Sequence, residues 1–465
     1  MNIKLEEYKK KIKNKKVAVL GMGVSNTPLI KYLAGLNVDV TAFDKADAEK
    51  LQPVLEELKG LNVKYSLGPK YLENLKGFDI IFKTPVVRFD IPELVRAREE
   101  GAEVTSEMEV FVELCPAQIF AVTGSDGKTT TTTLIYEMLK REGYKCWLGG
   151  NIGYPLLSRI DEINETDKVV LELSSFQLHT MTTSPDIAVI TNVSPNHLDV
   201  HKSMEEYVDA KKNIFRFQTE KNKLILNYNN DITRSMADEA KSKVVFFSRL
   251  NELDEGSFLK NDTLVYKERN EVKSLVKASD IFIRGAHNVE NYLAASAAVI
   301  DYVKPETIHD VAVEFKGVPH RMEFVREVNG VSFYNDAIGT SPARTIAGLK
   351  SFDEKVILIA GGYDKKISYD EMGEVLAEKV KTLVLTGPTA AKISEALDKE
   401  IRRTGNDVEV DVIMCTTFEE AVEKAYKSAK PGDKVVLSPA SASFDMFKNF
   451  EEKGNRFKQL VNEIK

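Results

Sequence analysis

Ile119-Phe120-Ala121-Val122-Thr123-Gly124-Ser125-Asp126-Gly127-Lys128-Thr129, with four more threonines after it, is the stretch that decides the fold class of this chain. Its apolar start reads as a buried strand, its two glycines as a loop, and Lys-Thr as the opening of a helix. Such a loop gathers backbone N–H groups and the positive end of a helix dipole at one point, which suits phosphate oxygens. Lys128 then reaches the β and γ phosphates of ATP, and the Thr129 hydroxyl is placed to ligate Mg²⁺. Gly124, Ser125, Asp126, Gly127, Thr130 and Thr131 complete the expected nucleotide cradle. The general phosphate-loop pattern has a glycine where this chain has Val122, so the motif is the variant Thr-Gly-x-x-Gly-Lys-Thr. The bland alternative is a glycine turn beside a solvated lysine. The ordered set of both glycines, lysine, hydroxyl and flanking elements favours ATP.

Outward from this loop the same alternation recurs. Val17–Leu20, Val38–Phe43, Ile80–Phe82, Val169–Leu173 and Ile187–Asn192 read as buried strands, as do Val331–Tyr334, Val356–Ala360, Thr382–Leu385 and Lys434–Leu437. Helix-length segments between them imply parallel sheets with crossover helices, an α/β class. Residues 223–283 carry more strand-like and loop-like pieces and are expected to extend the central domain as antiparallel structure. With 465 residues and about 150 per domain, three domains are expected. Proline or glycine interrupts the pattern near Glu113–Pro116 and at Gly317-Val318-Pro319, giving domains 1–114, 115–317 and 318–465.

The first of these opens on Val17-Ala18-Val19-Leu20-Gly21-Met22-Gly23-Val24-Ser25-Asn26, with Asp44 at the end of the second strand. This is a dinucleotide fingerprint whose third glycine is replaced by Asn26. The truncated motif speaks against NAD and supports a nucleotide diphosphate near the first strand–helix turn, at Ser25 and Asp44. Thr84-Pro85 ends another strand and is expected to line the same crevice. A packing turn is an equal alternative for either motif taken alone.

Composition narrows the classes further. The chain has 43% hydrophobic and 29% charged residues and a formal net charge of -7, which argues against nucleic acid or an anionic membrane surface as the main partner. No apolar run approaches the roughly 18 residues that span a bilayer. The three cysteines, Cys115, Cys146 and Cys415, have no metal-ligand spacing, and a reducing compartment fits them. The basic N-terminus lacks an apolar signal core and carries Glu6 and Glu7. A cytoplasmic protein acting on small molecules is expected, without membrane insertion and as a monomer.

Taken together the motifs resemble the Mur ligase family, and within it the members that add D-glutamate. The likeness runs through Thr123–Thr129, Gly149–Gly153, Glu172–Leu178, Asn192–Asp199, Tyr207–Lys211, Gly285–Asn291, His320–Glu323, Tyr334–Asp336, Leu437–Asp445 and Phe447–Phe450. It implies a Rossmann-like N-terminal domain for a UDP-linked substrate, a central phosphate-loop ATPase domain with a mostly parallel sheet, and a Rossmann-like C-terminal domain. The implied reaction is ATP-dependent ligation of D-glutamate to UDP-N-acetylmuramoyl-L-alanine through an acyl phosphate, in cell-wall peptidoglycan synthesis. Mg²⁺ is expected on Thr129, Glu172, His197 and Lys211, with Lys128, Glu172, His197 and Lys211 as the catalytic set.

The resemblance places Asn151 at the muramoyl substrate, Asn288 and Asn291 at the adenine from one helix face, and Arg321 and Asp336 at ATP. Ser441 and Ser443, read as preceding a helix start, Lys365 (with Lys366 beside it) and Phe450 are expected around the amino acid. Spacing alone makes Lys211 and Lys212 solvated neighbours, whereas the resemblance makes Lys211 a carbamate in the active site. Ile338 stands where many D-glutamate-adding enzymes have lysine, and Thr84-Pro85-Val86 where some have Ser-Pro-Gly. The rival readings are a sibling ligase for another amino acid, a folylpolyglutamate synthase, and a nucleotide-hydrolysing switch.

Overall fold

Short β-branched runs alternating with amphipathic helices form three separate sheets in a computed structural model, which describes residues 2–195, 201–365, 367–405 and 409–465. The first sheet comprises β1 (Lys16–Leu20), β2 (Asp39–Asp44), β3 (Val63–Leu67), β4 (Ile80–Phe82) and β5 (Glu103–Thr105). They run parallel in the order β3-β2-β1-β4-β5. The order reverses between β1 and β4, and a switch point of this kind opens a crevice outside the carboxyl ends of both strands.

The second sheet holds β6 (Gln118–Thr123), β7 (Cys146–Gly150), β8 (Lys168–Glu172), β9 (Ile187–Ile190), β10 (Lys223–Asn227), β11 (Lys243–Ser248), β12 (Gly256–Lys260), β13 (Thr263–Glu268) and β14 (Glu271–Lys277). Its order is β14-β13-β12-β11-β10-β9-β6-β8-β7. Ile119–Val122 are buried because helices cover both faces of this sheet, which is why the run is continuously apolar rather than alternating. Residues 223–283 do extend the sheet, but only partly as expected. β10 and β11 pair parallel, and β12 continues parallel to β11. Antiparallel pairing is confined to β12-β13-β14, where tight turns replace crossover helices.

The third sheet comprises β15 (Glu323–Val328), β16 (Val331–Asn335), β17 (Val356–Ala360), β18 (Val380–Leu385), β19 (Asp411–Met414) and β20 (Lys434–Leu437), in the order β15-β16-β20-β17-β18-β19. Only β15 is antiparallel, in a hairpin with β16. Its two faces bury separate apolar clusters.

Two compact units result, Met1–Glu314 and Phe315–Lys465. The first holds two sheets because one apolar cluster runs continuously from Val17 and Val19 to Ile119, Ala121 and Leu171. The helix Glu107–Leu114 joins them, capped by Ser106, whose hydroxyl accepts from the Glu109 N–H at 3.2 Å. Among the described residues no helix is long and apolar enough to cross a membrane.

Candidate active site

Thr123 ends β6, and the chain turns through Gly124 and Gly127 into the helix Lys128–Glu142. Gly127 has φ +76°, and a Cβ there would lie 2.3 Å from Asn291 Oδ1, so only glycine fits the turn. The segment after β9 holds the loop from behind. The Ser125 N–H donates to the Asn192 carbonyl at 2.9 Å, the Asp126 N–H to Asn192 Oδ1 at 2.9 Å, and the Thr191 hydroxyl to the Asp126 carbonyl at 2.6 Å. Lys128 Nζ donates to the carbonyls of Gly124 and Ser125 at 3.1 and 2.8 Å, which keeps its charge at the loop. Thr129 is buried at the start of the helix and Thr130 is half-buried. The Thr131 hydroxyl donates to Asn291 Oδ1 at 3.2 Å.

Val122 pairs with Glu172, so the end of β8 brings that carboxylate beside the loop. Glu172 Oε1 accepts from Asn151 Nδ2 at 2.7 Å, while Oε2 is buried with no hydrogen-bond partner among the described residues. A buried carboxylate oxygen left this way is costly unless a cation meets it. Lys211 arrives from the helix Met204–Arg216 and is 1% exposed. Its Nζ donates to the Gly124 carbonyl at 2.8 Å and to Thr123 Oγ1 at 3.4 Å, and lies 4.6 Å from the Tyr207 ring centroid. Burial, with the positive charge of Lys128 adding to it, pushes its ammonium down to about 7. Lys211 is therefore not the solvated charge that spacing alone implies. Lys212 keeps an ion pair with Glu239. His197 lies outside the described residues.

In the first sheet, Asp44 is occupied by its own turn, accepting from the Met22 and Ala46 N–H groups at 2.8 and 2.9 Å. Ser25 is exposed at the start of the helix Asn26–Gly35. Gly21 and Thr84 adjoin across the switch point, where a Cβ on Gly21 would sit 3.2 Å from Thr84 Cγ2. In the helix Ala286–Val299, Asn291 Nδ2 donates to Asn288 Oδ1 at 3.2 Å, so these two side chains share the expected face.

In the second unit, Asp336 is buried and accepts from Ser438 Oγ at 2.7 Å and from the Met322 N–H at 3.3 Å. Burial raises its carboxyl to about 6. Arg321 is exposed nearby in sequence, on the turn before β15. Ser441 and Ser443 do not precede a helix start as expected. The helix begins at Phe450, capped by Asn449, so the serines sit on the loop after β20. Ser441 Oγ is within 2.9 Å of Tyr369 OH and 2.8 Å of Thr389 Oγ1, whereas Ser443 Oγ is buried without a partner among the described residues. Phe450 packs edge-on to His320, and the exposed Lys365 donates to the Thr340 carbonyl at 3.1 Å. Lys366 lies outside the described residues.

Three supporting groups were not singled out from the sequence. Asn192 braces the loop and lies inside a quoted motif. Tyr207 places its hydroxyl 3.0 Å from Ser125 Oγ. Lys453, buried, donates to the Gly361 carbonyl at 2.9 Å, with its ammonium pushed down to about 8 by burial. A lysine in an otherwise charged helical run gives no local sign of burial. Among the described residues, one further group has metal-ligand chemistry: His179, His201 and Glu206. The Arg88 guanidinium already sits 2.8 Å from that glutamate, which opposes a second cation there.

Family models match three successive segments: Mur ligase MurD-like, N-terminal domain over residues 15–106, Mur ligase middle domain over 122–299, and Mur ligase, glutamate ligase domain over 320–441. The chain is 67% identical over 464 residues to the UDP-N-acetylmuramoylalanine--D-glutamate ligase of Acetivibrio thermocellus, covering 100% of both chains. It is 61% identical over 465 residues to the protein of the same name from Ruminiclostridium cellulolyticum, again covering 100% of both. Among solved structures, the UDP-N-acetylmuramate-alanine ligase of Thermotoga maritima aligns over 97% of this chain and 100% of that one, with a TM-score of 0.56 at 19% identity. That likeness concerns the fold alone.

Proposed function

The chain belongs to the Mur ligase family, and we propose that it joins D-glutamate to UDP-N-acetylmuramoyl-L-alanine at the expense of ATP, in the cytoplasmic stage of peptidoglycan synthesis. The observation that carries this reading is the full-length 67% identity to a ligase of that name. The convergence of Lys128, Glu172 and Lys211 on one phosphate loop supports it chemically. We take the domains as 1–114 for the UDP-linked substrate, 115–317 for ATP and 318–465 for the amino acid.

In the reaction, the terminal carboxylate of UDP-N-acetylmuramoyl-L-alanine attacks the γ-phosphorus of ATP. The bond to the β-phosphate oxygen breaks, leaving ADP and an acyl phosphate. The D-glutamate amine then attacks the acyl carbon, the C–N bond forms, and inorganic phosphate leaves as the nitrogen loses its proton. The N–H groups at the start of the helix Lys128–Glu142 and the Lys128 ammonium hold the phosphates in line and offset their charge. Glu172, Thr129, His197 and Lys211 are the residues that would hold Mg²⁺, and the buried Oε2 of Glu172, without a hydrogen-bond partner among the described residues, fits a hard cation. When bound, Mg²⁺ supplies positive charge against the phosphates.

Lys211 suits that set as a carbamate. A neutral amine forms its N–C bond to CO₂ and releases one proton, and an ammonium pushed down to about 7 is neutral in a large fraction of molecules near neutral pH. Asn151, braced on Glu172, is assigned to the muramoyl substrate, and Ser25, Asp44 and Thr84 to its uridine diphosphate end. Asn288, Asn291, Arg321 and Asp336 are assigned to ATP, and Ser441, Ser443, Lys365 and Phe450 to D-glutamate.

The test is ADP release by the purified chain with a panel of amino acids. We expect release only when UDP-N-acetylmuramoyl-L-alanine and an amino acid are both present, fastest with D-glutamate. Faster release with L-alanine, L-glutamate or a diamino acid sinks the assignment, and release with neither substrate makes the chain a plain ATPase.

A further inference from the structure

The loop that follows β4 lines the first sheet's crevice with Thr84 and then turns, the Val87 N–H donating to the Thr84 carbonyl at 3.1 Å. The next three residues leave the first sheet altogether. Arg88 Nη2 lies 2.8 Å from Glu206 Oε1, in the first turn of the helix Met204–Arg216 beneath the second sheet. Phe89 packs edge-on to His179, with ring centroids 4.6 Å apart. Asp90 receives Arg88 Nε and Nη2 at 2.9 and 3.1 Å and Lys202 Nζ at 2.6 Å. Glu206 is also faced by His179 Nε2 at 3.6 Å and His201 Nδ1 at 3.8 Å. Its carboxylate accepts from the Lys202 N–H as well.

An isolated surface ion pair contributes little. This one differs: Arg88, Asp90 and Glu206 are 24%, 26% and 19% exposed, the guanidinium is forked onto two carboxylates, and an aromatic contact flanks it.

The helix that Arg88 grips is the one that reaches the phosphate loop. One residue after Glu206, the Tyr207 hydroxyl lies 3.0 Å from Ser125 Oγ, and five residues after it Lys211 donates to the Gly124 carbonyl at 2.8 Å. At 1.5 Å per residue, about 7.5 Å of helix separates the Arg88 contact from Lys211. A helix is stiff over that length, so a shift of the crevice loop moves Tyr207 and Lys211 with it.

We propose that Arg88 and Glu206 are positioning residues that couple occupancy of the first sheet's crevice to the geometry of the phosphate loop, through the helix Met204–Arg216. The proposal rests on the reading of that crevice as the site for the UDP-linked substrate. Neither residue touches a reacting atom. Their effect is that the ATP site is set in full only when the crevice loop is seated.

The experiment measures binding of a non-hydrolysable ATP analogue to the full chain by calorimetry, with and without saturating UDP-N-acetylmuramoyl-L-alanine. In the wild-type chain the UDP-linked substrate should strengthen analogue binding by about 5- to 10-fold. Arg88→Gln should bind each ligand alone within about twofold of wild type, yet lose the strengthening, so that the factor falls to about one. Arg88→Lys, which keeps the charge but not the fork, should fall between the two. Glu206→Gln reads the same link from the other side and must also lower the factor, which covers the case in which one variant folds poorly. In turnover, Arg88→Gln should raise the KM for ATP at saturating UDP-linked substrate, with kcat changed less. An equal factor in wild type and Arg88→Gln, or a factor of one in wild type, overturns the coupling. If the UDP-linked substrate fails to bind wild type at all, the crevice assignment falls and the coupling with it. Binding without coupling refutes the link alone.

Discussion

Lys211 donates a 2.8 Å hydrogen bond to the Gly124 carbonyl, joining a helix to a loop that lies 87 residues earlier in the chain. The contact puts a second lysine behind the phosphate loop, close enough for Lys128 to help lower its ammonium. An ammonium lowered in this way leaves a neutral amine that can take up CO₂, the carbamate role proposed for Lys211.

Lys211→Ala should therefore lose about 100-fold or more in turnover, with partial recovery when acetate or formate fills the carboxylate position. Lys212→Ala, paired with Glu239 away from the loop, should be mild. Near-normal turnover of Lys211→Ala in bicarbonate-free buffer would falsify the carbamate role.

Gly127→Ala forces a side chain at φ +76° and drives its Cβ to 2.3 Å from Asn291 Oδ1. We expect a stability loss of about 1–3 kcal/mol and a larger loss of ATP affinity, because the helix start and Asn291 are displaced together. Thermal unfolding and nucleotide titration check this. A variant with wild-type ATP affinity would show that the loop tolerates a side chain.

Ser441 and Ser443 should separate. Ser441 Oγ is already bonded to Tyr369 and Thr389, so Ser441→Ala should lower stability by about 1–2 kcal/mol in addition to weakening D-glutamate binding. Ser443 has a buried hydroxyl without such partners among the described residues. Ser443→Ala should leave stability unchanged and raise the KM for D-glutamate by about tenfold, the worth of one hydrogen bond to a charged group. Equal effects on both quantities for both variants would remove Ser443 from the amino-acid site.

Glu107, fully buried, accepts from the Leu157 N–H at 2.8 Å, and burial raises its carboxyl from 4.5 to about 7. In the folded chain it holds its proton more tightly than in the unfolded chain. Its contribution to stability is thus fully present below about 4.5 and is lost as pH rises through about 7. Glu107→Gln cannot titrate, so its stability relative to wild type should rise between pH 4.5 and 8 by about 3 kcal/mol at most. Unfolding curves at several pH values check the slope; a constant offset would mean that Glu107 is ionised in the folded chain throughout.

The phosphate loop, its strand and helix, and the ten anticipated strands were legible in the chain itself, because apolar runs and glycine turns express their preferences over a few residues. Ser441 and Ser443 misled for the same reason: the run looked like a helix start, and the cap at Asn449 lies further on. The burial of Lys211 had a faint local sign, since it stands on the stripe Tyr207, Ala210, Lys211, Ile214 that the helix buries. A stripe shows which face turns inward, not what that face meets. That Lys211 meets a phosphate loop, that one Glu172 oxygen has no hydrogen-bond partner among the described residues, and that Arg88 grips the same helix are facts about residues dozens of positions apart. Only the packing of the first two sheets into one unit brings those side chains together, because their distances depend on sheet order and on a shared core rather than on any local pattern.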